Sequence, residues 1–258
     1  MADEAPKVGL GIDIGGSGIK GAPVDLATGE FIVDRLKIAT PSPSTPEAVA
    51  KVVAEIASAF PEHVASTTPL GVTFPAVIQH GVARSAANVD PSWVGTDVEE
   101  LLAGETGRRV YVVNDADAAA VAEDRYGAAK DASGVVLLTT LGTGIGTALL
   151  VDGRLVPNTE FGHLEIDGHD AETRAASSAK EREDLSYEKW ARERLQRYYS
   201  VVEMLLSPDL IVVGGGVSRK ADKFLPLLDL NAPIVAAQLR NTAGIVGAAV
   251  LAAERFGG

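Results

Sequence analysis

Asp13-Ile14-Gly15-Gly16-Ser17-Gly18-Ile19-Lys20 closes the first apolar run of the chain, Val8 to Ile14, and opens a second, Ile19 to Val24. An apolar strand, a glycine-rich turn and a returning strand make a hairpin. Its glycines let backbone N–H groups approach an anion closely, Asp13 can hold a Mg²⁺ directly or through water, and Ser17 and Lys20 can meet phosphate oxygens. Taken alone, the same residues equally describe a tight hairpin with an exposed lysine. The pattern recurs, however, at Leu141-Gly142-Thr143-Gly144-Ile145-Gly146-Thr147, between the runs 134–141 and 145–151. No helix follows that turn, which excludes the Rossmann fingerprint, and no Gly-Lys-Ser/Thr P-loop occurs in the chain. The recurrence predicts two similar domains facing each other, with the site in a cleft between them.

Outward from these turns, strands alternate with helices, the signature of α/β layers. Phe31 to Ile38 reads as a third strand. Val49, Val52, Val53, Ile56 and Phe60 at helical spacing predict a helix from Pro46, with Thr45 as its N-cap. A strand at 70–74, a loop, a strand at 109–113 and an alanine-rich helix at 114–126 follow. After the second turn come a short strand near Leu155, a long amphipathic helix over 187–206, a strand at 210–213, a helix over 221–228, a strand at 234–236 and a last helix from Thr242. These place a small first domain at 1–113, with the C-terminal helix 242–258 packing back on it, and a larger one at 114–241.

Composition narrows the function. With 258 residues, 46% of them hydrophobic, the chain can bury substantial cores. A net charge of -12 disfavours a nucleic-acid partner, because such proteins carry a basic excess. No apolar stretch reaches about 18 residues, and 1–6 is short, acidic and without an apolar core, so neither a membrane span nor a secretory signal is expected. The absence of cysteine excludes disulfides and thiolate metal sites, and a cytoplasmic setting is expected.

Three further constellations carry chemistry. In Val112-Val113-Asn114-Asp115-Ala116-Asp117 a strand delivers polar side chains at its C-terminal end, where α/β enzymes place reacting groups. Asn114 or Asp117 can instead serve as a helix N-cap. Asp115 is the better base, since a carboxylate within hydrogen-bond reach of a hydroxyl can take its proton. In Glu160-Phe161-Gly162-His163, with Glu172 beyond it and Asn88 before it, carboxylates, an amide and an imidazole can bind vicinal hydroxyls. A Glu-X-X-His pair can also ligate metal, but no third ligand is obvious. Leu210-Ile211-Val212-Val213 runs into Gly214-Gly215-Gly216, a turn that can pack flat on a base, expose N–H groups to phosphate or be structural.

In this order, Asp-Ile-Gly-Gly-Ser-Gly-X-Lys, Asn-Asp-Ala-Asp-Ala-Ala, Leu-Gly-Thr-Gly-X-Gly, Glu-Phe-Gly-His and Gly-Gly-Gly-Val-Ser resemble the ROK family (repressor, open reading frame, kinase), and within it the bacterial polyphosphate/ATP glucokinases. The resemblance runs from Val8 to the C-terminus. It implies a two-domain actin-like ATPase (ribonuclease H-like) fold and a glucokinase that phosphorylates the 6-hydroxyl of glucose from polyphosphate or ATP. It makes Asp115 the general base and sets Asn88, Asn114, Asp115, Glu160, His163 and Glu172 around the sugar. It puts Asp13, Gly15, Gly16, Ser17, Gly18, Lys20, Thr143 and Gly144, with Gly214 and Gly215, on the donor side, and Mg²⁺ near Asp13, through water. Many members carry a cysteine-rich zinc motif before the residue matching Glu172. Here 164–170 replaces it, which implies no structural zinc. Alternatives are an ATP-only kinase for another hexose such as N-acetylmannosamine, or a non-catalytic sugar sensor. The family's repressors carry an N-terminal helix-turn-helix, for which the segment before Val8 offers no room. A homodimer is expected.

Polyphosphate would need cations. Lys180, Arg182, Lys189, Arg192, Arg194 and Arg197 cluster, yet Glu181, Glu183, Asp184, Glu188 and Glu193 are interleaved, so most of the run reads as a solvated surface with internal ion pairs. Lys20 is the one cation expected beside the phosphates.

Overall fold

The structure, a computed structural model, describes residues 8–86 and 89–257. It divides into two units, the first running to Ala122 and resuming at Thr242, the second spanning Glu123–Asn241.

In the first unit, β1 (Val8–Gly15) and β2 (Gly18–Asp25) form the expected hairpin, with Gly15 paired to Gly18 across a turn of Gly16 and Ser17. β3 (Leu36–Ile38) is shorter than expected: the charged pair Asp34-Arg35 interrupts the run, and Phe31 makes only an isolated bridge to Val24. Helix α1 (Pro46–Ser58) is capped by Thr45, whose hydroxyl accepts from the Ala48 amide at 3.4 Å. β4 (Leu70–Phe74) is buried along its length, as a central parallel strand covered on both faces should be. A small hairpin, β5 (Ile78–Gln79) and β6 (Val82–Ala83), leads to α2 (Val98–Thr106), where a loop was expected. Asp97 caps α2 by accepting from the Glu100 amide at 2.9 Å, and Gly107, at φ 66°, ends it in the left-handed conformation. β7 (Val110–Asn114) and α3 (Asp115–Tyr126) follow.

The second unit repeats the plan with β8 (Val135–Leu141), β9 (Ile145–Val151) and β10 (Arg154–Val156). A two-stranded ribbon, β11 (Glu165–Ile166) and β12 (His169–Asp170), precedes the short helices α4 (Glu172–Ala175) and α5 (Ser177–Arg182). The expected long helix is α6 (Tyr187–Trp190), a π-helical turn at 191–195 and α7 (Gln196–Leu206). β13 (Leu210–Gly214) and β14 (Ile234–Ala236) complete the sheet. Between them the helix expected over 221–228 is replaced by 3₁₀ structure over Gly216–Lys223, kinked at Lys220 (φ -116°, ψ 22°), that stops at Phe224 (φ -136°). Pro226 then sits in a separate short turn, Leu225–Leu227.

The two sheets share one topology. Their orders are β3-β2-β1-β4-β7 and β10-β9-β8-β13-β14, each with two antiparallel pairings followed by two parallel ones. Leu10, Ile12, Val53, Ile56, Val72 and Trp93 lie in the first core; Leu137, Trp190, Tyr199, Ile211, Val213 and Phe224 lie in the second.

The last helix, α8 (Ala243–Phe256), belongs to the first unit. Gly11 of β1 and Gly71 of β4 bring its backbone so close that any side chain there would strike the carbonyls of Ile245 and Ala248. Gly247 of α8 approaches the Ala118 carbonyl of α3 in the same way, and Val113, Ala118 and Ala248 pack together. This packing holds the start of α3 in the first unit, so the division falls after Ala122 rather than at Val113. Beyond it, buried Glu123 accepts from the backbone amides of Ala128, Gln238 and Leu239 at 2.8, 3.1 and 2.7 Å, which gives a carboxylate out of water its hydrogen bonds. Among the described residues no helix is long and apolar enough to cross a membrane.

Candidate active site

Strand register positions the first group of polar side chains. Asp13 pairs with Lys20 on β2 and with Thr73 on β4. Its Oδ1 accepts from the fully buried Thr73 hydroxyl at 2.8 Å, while its Oδ2 lies 3.5 Å from Lys20 Nζ. One carboxylate oxygen is therefore held by the fold and the other faces a cation loosely. Gly16 and Ser17 are exposed at the turn, and the Thr40 hydroxyl donates to the Gly15 carbonyl. Beside this turn lies a cavity of about 320 Å³ lined by Gly15, Gly16, Thr40, Pro75, Asp90 and Trp93. Trp93 donates from its indole N–H to the Ser44 carbonyl at 2.9 Å, and its ring lies 4.5 Å from that of Phe74.

At the end of β7, Asn114 caps α3, its Oδ1 accepting from the Ala116 and Asp117 amides at 2.8 and 3.3 Å and its Nδ2 donating to the Ala76 carbonyl at 3.2 Å. Asp117 is buried, whereas Asp115, the first residue of the helix, is exposed, with Oδ1 accepting from the Ala116 amide at 2.9 Å. Of the three polar residues at this strand end, Asp115 is thus the one presented to solvent. Asn88 lies outside the described residues.

The second unit gathers Glu160, His163 and Glu172. His163 Nδ1 is 2.8 Å from Asp170 Oδ2, and Asp170 Oδ1 accepts from the Glu172 amide at 3.2 Å. The hydrogen bond to Asp170 raises the His163 pKa above the ordinary imidazole value. The carboxylates of Glu172, Asp170 and Glu160 add to the rise, and desolvation opposes it. Glu160 is also raised, first by desolvation and then by Glu172, against the lowering effect of His163. His163, Asp170 and Glu172 offer ligand atoms within 4.8 Å of one another, a spacing at which an ion can be held. Here the groups already engage each other through hydrogen bonds.

Glu172 also reaches the second glycine turn. Its Oε2 accepts from the Ile145 amide at 2.9 Å, and a side chain at Gly144 would collide with its carboxylate. From the other flank Ser178 holds the turn, its amide donating to the Gly142 carbonyl at 3.1 Å and its hydroxyl to the Thr143 carbonyl at 2.6 Å. Gly142 and Thr143 are left exposed. Gly215, at φ 81°, lets the turn after β13 pack against the Leu141 backbone, a position no side chain could share. Gly214 ends β13 with ordinary contacts.

Of the sequence candidates, Asp13, Gly15 to Gly18 and Lys20 come together in one hairpin, Glu160, His163 and Glu172 in one cluster, and Gly142 to Gly144 meets Gly215 across Leu141. Asp170, Thr73 and Ser178 were missed. The register of β1 against β4, once drawn, would have found Thr73; nothing local in the sequence marks the other two.

A family model described as the ROK family matches residues 9–184. The chain is 55% identical over 243 residues to a polyphosphate glucokinase of Mycobacterium tuberculosis, covering 94% of this chain and 90% of that protein. Among solved structures it resembles an inorganic polyphosphate/ATP-glucomannokinase from an Arthrobacter strain, with a TM-score of 0.90, 56% identity and coverage of 96% and 99% of the two chains. A ROK family glucokinase from Streptomyces griseus, solved with glucose and AMPPNP, matches with a TM-score of 0.77 and 25% identity over 96% of this chain and 100% of that one.

Proposed function

The chain belongs to the ROK family, and from that premise we propose that it is a glucokinase which transfers the terminal phosphoryl group of polyphosphate or ATP to the 6-hydroxyl of glucose. The observation that carries the mechanism is the exposed Asp115 at the mouth of β7, beside an Asn114 committed to capping and a buried Asp117. As the hydroxyl oxygen attacks phosphorus, its proton passes to the Asp115 carboxylate, the bond from phosphorus to the leaving oxygen breaks, and the donor departs one phosphate shorter, as ADP when ATP is used.

Glu160, His163 and Glu172, with Asn88 and Asn114, bind the sugar hydroxyls. With Nδ1 turned to Asp170, His163 offers Nε2 to a hydroxyl, and a carboxylate with a raised pKa can share a proton in such contacts. The backbone turns 15–18 and 142–144, exposed at Gly16, Ser17, Gly142 and Thr143, carry the donor phosphates with Gly214 and Gly215, and Lys20 neutralises them. Mg²⁺ supplies charge neutralisation on the donor when bound. Asp13 suits it, since one anchored carboxylate with an outward oxygen, completed by waters and substrate phosphates, is a common way of holding this ion. We place the enzyme in the cytoplasm as a homodimer, which sedimentation of the purified chain tests.

Initial rates with glucose at matched polyphosphate and ATP, with mannose and N-acetylmannosamine as competing acceptors, test the reading. Glucose 6-phosphate formed from both donors is the expected result. Phosphorylation of N-acetylmannosamine from ATP alone would replace it with the ATP-only reading.

A further inference from the structure

Two lysines from separate segments converge on one aromatic ring in the second unit. Lys180 Nζ lies 4.4 Å from the centroid of the Tyr187 ring, and Lys223 Nζ lies 5.6 Å from it. The ring is packed against the second core, stacked on buried Phe224 at 6.1 Å with buried Trp190 edge-on at 6.4 Å. Neither lysine makes an ion pair among the described residues, although the neighbouring arginines do. Arg182 and Arg194 share Glu183, Arg192 meets Glu188, and Arg197 meets Asp167. Two like charges held over one ring repel each other, and a polyanion relieves that repulsion while a neutral partner does not.

Both lysines are tethered to the same backbone turn. Lys180 is two residues beyond Ser178, whose amide and hydroxyl grip the carbonyls of Gly142 and Thr143. Lys223 ends the stretch Gly216–Lys223, kinked at Lys220, that follows Gly215, which packs on Leu141 at the base of that turn. The chain returns from α5 to Tyr187 through the Leu185 amide, which donates to the Lys180 carbonyl at 3.0 Å. Two cations and an aromatic face are thus carried by the segments that frame the exposed turn 142–144. The acids nearby in sequence are Glu181, Glu183, Asp184 and Asp222; Glu183 is engaged by arginine, and none of the four pairs with either lysine.

From this arrangement we infer that Lys180, Tyr187 and Lys223 form a binding site for an extended inorganic polyanion, taking the part of a polyphosphate chain that trails away from the reacting end. The inference rests on polyphosphate being a donor. Lysine suits the role because its ammonium is a mobile point charge that can follow a sliding chain, where an arginine fork would fix one phosphate. Short donors end before reaching it.

The test is the double variant Lys180→Gln, Lys223→Gln, assayed at saturating glucose with long-chain polyphosphate, tripolyphosphate and ATP over a series of KCl concentrations. The site predicts a KM for long-chain polyphosphate about tenfold higher and a shallower dependence of that KM on salt, with tripolyphosphate and ATP within about twofold of the parent. Equilibrium dialysis of long-chain polyphosphate against parent and variant reads the same site without turnover and should show the same loss. An unchanged polyphosphate KM, or an equal rise for all three donors, would overturn the inference, the latter by assigning the lysines to phosphates that every donor shares. A parent enzyme that does not phosphorylate glucose from polyphosphate would instead sink the donor reading, and dialysis would still decide whether the lysines bind the chain.

Discussion

The turn between β1 and β2 joins its strands through Gly16 and Ser17 alone, and its chemistry is internal to its own sheet: Asp13, Lys20 and Thr73 come from adjacent strands in register. The turn between β8 and β9, at the matching place in a sheet of the same order, carries no charged side chain of its own. Glu172 and Ser178, from helices that enter after β12, hold it from outside. The first unit thus builds a charged hairpin and the second a bare backbone loop in a clamp. The clamp also ties this turn to the Glu160 and His163 cluster, because Asp170 bonds both His163 and the Glu172 amide.

That contrast can be broken one residue at a time. Gly144→Ala would drive a methyl group into the Glu172 carboxylate and displace the clamp, with an expected loss of about a hundredfold in kcat/KM. Gly16→Ala meets nothing within 4 Å, so it should leave the melting temperature unchanged and raise only the donor KM. Equal thermal destabilisation by both substitutions would contradict the contrast. Glu172→Ala leaves the Ile145 amide without its carboxylate and should cost about 1–3 kcal/mol in chemical denaturation, together with weaker glucose binding in calorimetry. Glu172→Gln, which keeps an acceptor, should recover most of the stability. Thr73→Val removes one buried hydrogen bond to Asp13, worth about 1 kcal/mol, and should raise the Mg²⁺ requirement with both donors alike.

The smallest expected effect is a displacement on the pH axis. Because the hydrogen bond to Asp170 is the leading cause of the raised His163 pKa, Asp170→Asn lowers that pKa. The limb of the pH profile of kcat/KM for glucose that reports His163 should therefore move toward acid, whichever protonation state is active. An unmoved or alkaline-shifted limb would remove His163 from the profile.

The sequence made the hairpins, the buried strand β4 and the exposed Asp115 readable, because each is declared locally by an apolar run, a glycine or a strand end. What it hid depends on partners distant along the chain. Helix α2 has few apolar positions and an internal Gly104, and is defined by its caps, Asp97 and Gly107. The π-helical turn inside 187–206 shifts register without a glycine or proline to announce it. In the charged run 180–197, Arg182, Arg192, Arg194 and Arg197 are ion-paired as a solvated surface should be, and only the fold shows that Lys180 departs from them by turning to Tyr187. The role of Asp170 was equally hidden, since a hydrogen bond spanning seven residues across a ribbon follows from no periodicity.

The central claim is that Asp115 takes the proton from the sugar hydroxyl. Single-turnover phosphorylation of glucose by Asp115→Ala, with glucose binding measured in parallel by calorimetry, tests it most directly. Binding weakened but measurable, with turnover abolished for polyphosphate and ATP alike, is the predicted result; phosphoryl transfer at a rate near that of the parent enzyme would contradict it.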